Sequence, residues 1–252
     1  MDGKSLLQWN LETDGFCLLI QAIGPQMLTT LQRTFSTDLL ENESSVRARS
    51  SRGHVYAARN LIESIPEVST VWTDPELLMF LHRNLGPRFG LVRALFFDKP
   101  PDRSWNLPWH KDTSIAVRDH PTDSAEFSRP TTKAGVPHLI ASDAILKSML
   151  TLRIHLDDVG DDNGPLQVIP ESHRSSSDAG VGIENAVTIH ARAGDVLAMR
   201  PLLSHASGSS DIGTTRHRRI LHLEFAAGRE LPGQVQWYHF VTPPDLGTRS
   251  AS

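Results

Sequence analysis

From Leu91 onward the chain breaks into short apolar or alternating runs separated by turn residues, and this texture constrains the fold more than any other feature. Residues 91–97, 150–156, 166–169, 186–190, 196–199 and 219–226 have the length and patterning of strands. Asp161-Asp162-Asn163-Gly164 separates two of these runs, and Asn-Gly is a strong hairpin signal. Many short strands joined by such turns predict a sandwich or closed barrel. The first ninety residues read differently, as mixed α/β and mostly helical. Gly24-Pro25 opens a helical stripe through Met27, Leu28, Leu31, Phe35 and Leu39. Asp74-Pro75 opens a second through Leu77, Leu78, Leu81 and Leu85, with Gly86 as its stop. The expectation is one domain over residues 1–252, with a helix-rich part over 1–90 and a β core over 91–230. Residues 118–138 interrupt the strand rhythm as a polar stretch containing Pro121, Pro130 and Pro137, followed by a short capped helix over 142–149. A loop of that length in a compact domain suggests a lid over 118–149.

Composition narrows the classes of function. A formal net charge of −4 gives no global field for nucleic acid or an anionic membrane. No apolar run is long enough to span a bilayer, and the polar, acidic start lacks the pattern of a signal peptide. Cys17 is the only cysteine, so an internal disulfide and a thiolate metal cluster are ruled out. A cytoplasmic protein acting on a small molecule, without nucleic-acid or membrane partners, is expected.

The chemistry lies in the placement of histidine. In His110-Lys111-Asp112, residues i and i+2 of an extended segment project to one face, where imidazole and carboxylate converge on one ion. A distant histidine would complete a 2-His-1-carboxylate facial triad, which leaves positions open and suits non-haem Fe(II). His155-Leu156-Asp157 has the same spacing, but Asp157 and Asp158 run into the Asp-Asp-Asn-Gly turn, whose chemistry accounts for carboxylates. His110 lies instead among bulky residues in Leu107-Pro108-Trp109-His110. The candidate third ligand is His205, after an apolar strand and the Pro201 corner; taken alone it also reads as a satisfied buried histidine, and the residues after it favour the ligand. Downstream, Arg216-His217-Arg218-Arg219 opens a strand, and its charge suits a small dianion held by a guanidinium fork. Alternation sets Arg218, Ile220, His222 and Glu224 on one face, and Arg219, Leu221, Leu223 and Phe225 on the other. The second face is the apolar one to pack against helices, so Arg218 points inward.

These residues resemble the phytanoyl-CoA dioxygenase family of Fe(II)/2-oxoglutarate oxygenases, from about Asp14 to Ala226. The resemblance is carried by Phe97-Asp98-Lys99-Pro100-Pro101, by Pro108-Trp109-His110-Lys111-Asp112, by Asn163-Gly164-Pro165-Leu166 through Pro170-Glu171-Ser172-His173, and by Gly194-Asp195 through Ser204-His205-Ala206-Ser207-Gly208. It implies a double-stranded β-helix (a cupin-like jelly roll) with helices outside, an α+β chain that is mainly β. It implies Fe(II) on His110, Asp112 and His205, with 2-oxoglutarate and O2 as co-substrates. Ser207 matches a serine that binds the co-substrate carboxylate. Spacing from the distal histidine selects Arg216 as its arginine, whereas aligning the next strand through Phe225 selects Arg218. Arg153 and Lys99 fall at positions lining the same pocket. Glu171 replaces a family glycine, a departure at a turn, and His173 reads as structural. The implied reaction hydroxylates a C–H bond of a small organic substrate and releases succinate and CO2. Trp109, Lys133, His138 and His155 are candidates for the substrate side. The rivals are a cupin-like metal enzyme that does not use 2-oxoglutarate and a non-catalytic binding domain on the same fold.

Overall fold

The computed structural model describes residues 9–36, 47–51, 54–101, 104–121, 124–175 and 179–244. Its core strands lie where alternation predicts them. β4 (Gly90–Lys99), β9 (Met149–His155), β12 (Val196–Met199) and β14 (Arg218–Ala226) form the centre of a seven-stranded antiparallel sheet. Three strands of the N-terminal region complete it, with β1 (Phe16–Leu19) on β12 at one edge, and β3 (His54–Arg59) and then β2 (Arg47–Ser51) at the other. The N-terminal third is therefore less helical than its sequence suggests. Every residue of β1 is buried, so the strand has no polar face, and periodicity does not separate such a strand from a helix segment.

A four-stranded sheet faces the first, ordered β11 (Val187–Ile189), β10 (Leu166–Val168), β13 (His205–Ser207) and β5 (Leu107–His110). The predicted hairpin after β9 is absent, because β9 pairs with β12 and β14 while β10 belongs to the facing sheet. The turn chemistry is present but serves a crossing between sheets. Asp161–Asn163 forms a 3-10 turn, and the fully buried Asn163 side chain accepts from Gly160 N at 3.0 Å and donates to Asp158 O at 2.8 Å and His217 O at 3.3 Å.

The polar stretch expected to be a loop is instead a third sheet, β6 (Ser114–Ala116), β8 (Val136–Ala141) and β7 (Phe127–Lys133). Ala134 and Gly135, both at positive φ, make the two-residue turn between Lys133 and Val136, and Arg129-Pro130 sits in a bulge that spares the ladder a missing donor. The short helix that follows, Asp143–Lys147, does begin after Ser142.

Helices close the outer face of the large sheet. α1 (Pro25–Thr34) and the helix Pro75–Leu85, ended by Gly86 at φ 82°, follow the predicted stripes; Leu39 lies outside the described residues. Leu31, Leu77 and Leu81 pack with Leu152, Ile154, Leu221, Leu223 and Phe225. Trp72, fully buried, meets Phe225 edge-on at 5.4 Å between ring centroids. Between the two main sheets the interior divides. Phe16, Leu18, Leu197 and Met199 pack on Leu166, Val168 and Ile189 at one end. At the other end the inward positions of β9, β14 and β4 carry Arg153, His155, Arg218, His222, Glu224, Lys99 and Arg93. That polar end is where a site can form. Among the described residues, no helix is long and apolar enough to cross a membrane.

Gly164 is needed at the boundary of this region. Its φ is +69°, and a Cβ there would lie 2.5 Å from the carbonyl oxygen of Gly208. Gly164→Ala therefore combines left-handed strain with a backbone clash. The expected loss is about 2 kcal/mol or more in urea unfolding, against a smaller loss for Gly213→Ala, where a Cβ meets nothing within 4 Å.

Candidate metal centre and buried cationic pocket

β13 and β5 pair antiparallel with His205 directly opposite His110, which places both rings on one face with centroids 4.1 Å apart. A bulge accommodates Pro108, which has no N–H to give to the ladder. The Asp112 amide then donates to Pro201 O at 2.9 Å, so the proline corner leading to His205 also anchors the carboxylate segment. His110 Nδ1 lies 2.8 Å from Pro108 O, and His205 Nδ1 lies 2.9 Å from Leu203 O. A carbonyl only accepts, so each Nδ1 carries the hydrogen and each Nε2 turns a lone pair inward. His110 Nε2 is 4.0 Å from Asp112 Oδ1 and His205 Nε2 is 3.7 Å from Asp112 Oδ2. One ligand atom from each residue falls within 4.8 Å of the others, the one such group found among the described residues.

The electrostatics suit a cation. Burial pushes the His205 imidazole down to about 4, helped by His110 and Arg153 and opposed by Asp112, so at neutral pH it is an unprotonated donor. Burial works against the Asp112 carboxylate, yet His205, His222, His110 and Arg93 hold it down at about 2. Its Oδ2 is buried without a hydrogen-bond partner. Three converging donors and an orphaned carboxylate oxygen fit a divalent ion with positions left open. The competing pair does not converge. Asp157 is held in a fork by Arg219, at 2.9 Å from Nε and 2.7 Å from Nη2, and His155 Nδ1 turns to Asp195 O at 3.2 Å.

Behind the triad, Lys99, Arg153 and Arg218 gather in the interior, all under a tenth exposed. Lys99 and Arg218 face each other across β4 and β14, and the Lys99 ammonium donates to Ser207 Oγ at 3.1 Å and to Gly208 O. Arg218 makes no side-chain hydrogen bond among the described residues, and its Nε and that of Arg153 are buried without partners. Burial, then Arg153, lower Arg218 to about 9 while Asp98 opposes them; burial, then Arg218 and Arg153, lower Lys99 to about 7. The buried carboxylate acting on Arg218 is Asp98, whose Oδ2 is already taken by His217, so the unfilled donors of Arg153 and Arg218 are costly unless an anion joins them. Arg216 is elsewhere: it is exposed and forks onto Asp162 at the surface, with Nε at 3.0 Å.

The remaining candidates separate. His155 sits on the inward face opposite Ile220; burial, then Arg153 and to a smaller extent Arg218, lower it to about 4, and so it belongs to the cationic end. Trp109 lies against Gly180. Lys133 donates to Ser114 Oγ at 2.9 Å, two residues beyond Asp112, and His138 is buried with Nδ1 2.9 Å from Val136 O and Nε2 unpartnered. Sequence reasoning put His222 and Glu224 on the Arg218 face but assigned them nothing, and it passed over Arg93. Arg93 Nε donates to Glu224 Oε2 at 2.9 Å, His222 Nε2 donates to Glu224 Oε1 at 3.1 Å, and Arg153 Nη1 donates to His222 Nδ1 at 3.2 Å. The available signal was three ionisable residues inside otherwise apolar strands.

Residues 11–217 match the family model described as phytanoyl-CoA dioxygenase (PhyH). No curated protein matches the sequence. Among solved structures, EctD from S. alaskensis with bound Fe is 16% identical with a TM-score of 0.65, covering 92% of this chain and 87% of its own. SnoN, a non-heme alpha ketoglutarate dependent epimerase from nogalamycin biosynthesis, is 16% identical with a TM-score of 0.61 over 93% and 90%. HygX from Streptomyces hygroscopicus, with nickel and 2-oxoglutarate bound, is 15% identical with a TM-score of 0.57 over 86% and 83%. At these identities the structures share the fold, while the family model spans both halves of the triad. The chain belongs to the phytanoyl-CoA dioxygenase family.

Proposed function

We propose that this chain, by its family a 2-oxoglutarate-dependent non-haem iron enzyme, hydroxylates a C–H bond of a small organic substrate and releases succinate and CO2. The observation that carries the reading is the pairing of a three-donor metal centre on one sheet with a buried, unsatisfied cationic pocket on the sheet that faces it. His110, Asp112 and His205 would hold Fe(II), and Arg218, Lys99, Ser207 and Arg153 would take the far carboxylate of 2-oxoglutarate. Bound there, the iron supplies the redox chemistry that activates O2 at the expense of the co-substrate.

The protein's part is positional. The carbonyls of Pro108 and Leu203 keep both imidazoles in the donor tautomer, the second-layer role that orients metal ligands. Arg218 offers a planar fork that matches a carboxylate, with Lys99 a point charge beside it. His222 holds Arg153 through Nδ1 and is itself held by Glu224. The burial of these groups supports the exclusion of water from the reacting end. A cupin-like metal enzyme without 2-oxoglutarate, or a binding domain, would leave Arg218 and Arg153 unsatisfied. The 2-oxoglutarate bound in HygX and the alpha ketoglutarate dependence of SnoN also favour this co-substrate. The fold alone does not set the outcome, since one relative is an epimerase.

Anaerobic addition of Fe(II) and then 2-oxoglutarate is expected to give the weak visible charge-transfer band of the chelate, with the band lost in Asp112→Ala and His205→Ala. A protein without the band is not this enzyme. Arg218→Leu is expected to weaken 2-oxoglutarate binding about tenfold or more, as for a lost charged hydrogen-bonding pair, while the apoprotein melts at the same or a higher temperature because an uncompensated buried charge is gone. Arg216→Leu should bind 2-oxoglutarate as the parent does.

The Lys99 value of about 7 gives a pH test. Below it the empty pocket already holds the ammonium; above it the amine is neutral and must take up a proton as the dianion binds. Affinity for 2-oxoglutarate should therefore fall as pH rises above 7, by at most about tenfold per pH unit, with Lys99→Met flattening the dependence. A titration series across roughly pH 6 to 9 reads this out. Affinity that rises with pH would remove Lys99 from the pocket.

A further inference from the structure

The inward face of β14 has two ends. Arg218 marks the one assigned to the co-substrate, and Glu224 the other, with His222 between them. At the Glu224 end lies a second group of cations that the reaction as described does not use. Arg93 is opposite Glu224 in the β14–β4 register, and its bonds to that carboxylate use Nε and Nη2, which leaves the Nη1 edge for a further acceptor. A narrow recess at the seam between the seven-stranded and three-stranded sheets is lined by Arg59, Arg93, Leu95, Ala116 and His138. Lys133 reaches the same region from the β7–β8 hairpin through Ser114, two residues past Asp112. The charges are close enough to act on one another: burial, then Arg93 and Arg59, lower the Lys133 ammonium, with Glu224 and Asp112 opposing.

The balance is uneven. Among the described residues, Arg93 and Lys133 carry two positive charges, against the one buried carboxylate of Glu224. Asp112 belongs to the metal centre, and the nearby Glu63 is exposed and faces His239 at 3.5 Å. His138 adds a polar atom that nothing satisfies. It is 3% exposed, its Nδ1–H donates to Val136 O, and its Nε2 is left with a lone pair and no partner. The recess and the Lys133 ammonium beside it thus offer a net positive charge and one buried hydrogen-bond acceptor. A bare hydrocarbon would fill neither need.

We propose that this recess is an anion subsite for the substrate, and that the substrate is a compact organic carboxylate with a hydroxyl or amide N–H close to the carboxyl group. The carboxylate lies on the free edge of Arg93 and on Lys133, and the neighbouring O–H or N–H donates to His138 Nε2. A planar carboxylate suits both the guanidinium edge and the narrow seam. The proposal rests on the metal and co-substrate assignment above, because the subsite takes its meaning from lying beyond Asp112, on the side away from Arg218.

The test uses the full chain loaded anaerobically with Fe(II) and 2-oxoglutarate, whose chelate band changes when a ligand enters beside the metal. The probes are mandelate, 3-phenyllactate, hippurate and N-acetyl-leucine, each beside its primary amide, together with phenyl phosphate. One or more acids should perturb the band and bind at least about tenfold tighter than the matching amide, the scale of one charge-assisted contact. Lys133→Met should reduce that acid preference about tenfold while the chelate band still forms. It should also leave the melting temperature unchanged or raised, whereas a structural lysine would lower it on removal. Arg93→Met alone would strand Glu224, so the paired change Arg93→Met with Glu224→Gln gives the second reading, with the same loss of preference expected. A normal chelate band with no acid preferred over its amide, or with phenyl phosphate preferred over every acid, overturns the subsite and leaves the enzyme assignment standing. Absence of the band in the parent protein overturns both.

Discussion

The short ladder between β13 and β5, with His205 across from His110, is the contact from which the rest of the site follows. Side chains alternate along a strand, so a slip of one residue would turn one imidazole out of the site. The register is held by elements on both sides. β10 pairs with β13 from the other flank, and the Asp112 amide is tied to Pro201 just before β13 begins. Pro108 and the bulge around it end the regular pairing at the edge strand and supply the carbonyl that sets the His110 tautomer. The same few residues therefore close the sheet, aim the rings and choose which nitrogen faces inward.

The cost of this arrangement sits in the large sheet. Its outer face is continuous hydrocarbon against helices, and half of its inner face is equally apolar. The remaining inner positions hold cations that burial disfavours, as the lowered values of Lys99 and Arg218 record. Glu224 offsets part of that charge by pairing with Arg93 and fixing His222, which in turn accepts from Arg153. The unsatisfied donors of Arg153 and Arg218 are left for a ligand. Stability is thus given up at the positions where binding is expected, as in most functional sites.

Legibility in the sequence followed periodicity. β12 spans the residues that alternation predicted, and the helices at Pro25 and Pro75 start where proline and their apolar stripes indicated. β1 was hidden because both its faces are buried, β7 because a polar, proline-containing edge resembles a loop, and β8, the central and mostly buried strand, because Pro137 breaks its run. The Asn163-Gly164 turn was recognised as a turn but assigned to the wrong connection. Local chemistry sets a chain reversal, while which sheet receives the next strand is decided by long-range pairing. His110 and Asp112 stood out because an i, i+2 spacing on an extended segment turns both to one face, and His205 because it follows a strand and a proline corner; the fold brings them together from β5, the residues just after it and β13. Arg218 was preferred over Arg216 on its face, and the structure buries the first and exposes the second. The Arg93–Glu224–His222–Arg153 chain was not legible as a chain, since its members come from three strands whose order only the folded sheet reveals.

β14 runs past the metal centre with Arg218 before it and Glu224 after it, on one rigid, fully paired strand. On the proposed assignment, recognition of the partner common to every turnover and recognition of the molecule to be altered fall to residues a few positions apart on that strand. Glu224 also fixes His222, which accepts from Arg153, so the two ends are joined through that imidazole. On that assignment, one scaffold passes from one metabolite to another by exchanging the Arg93–Glu224 pair, provided the residue at 224 still accepts from His222, and new specificity is then a matter of two codons rather than a new loop.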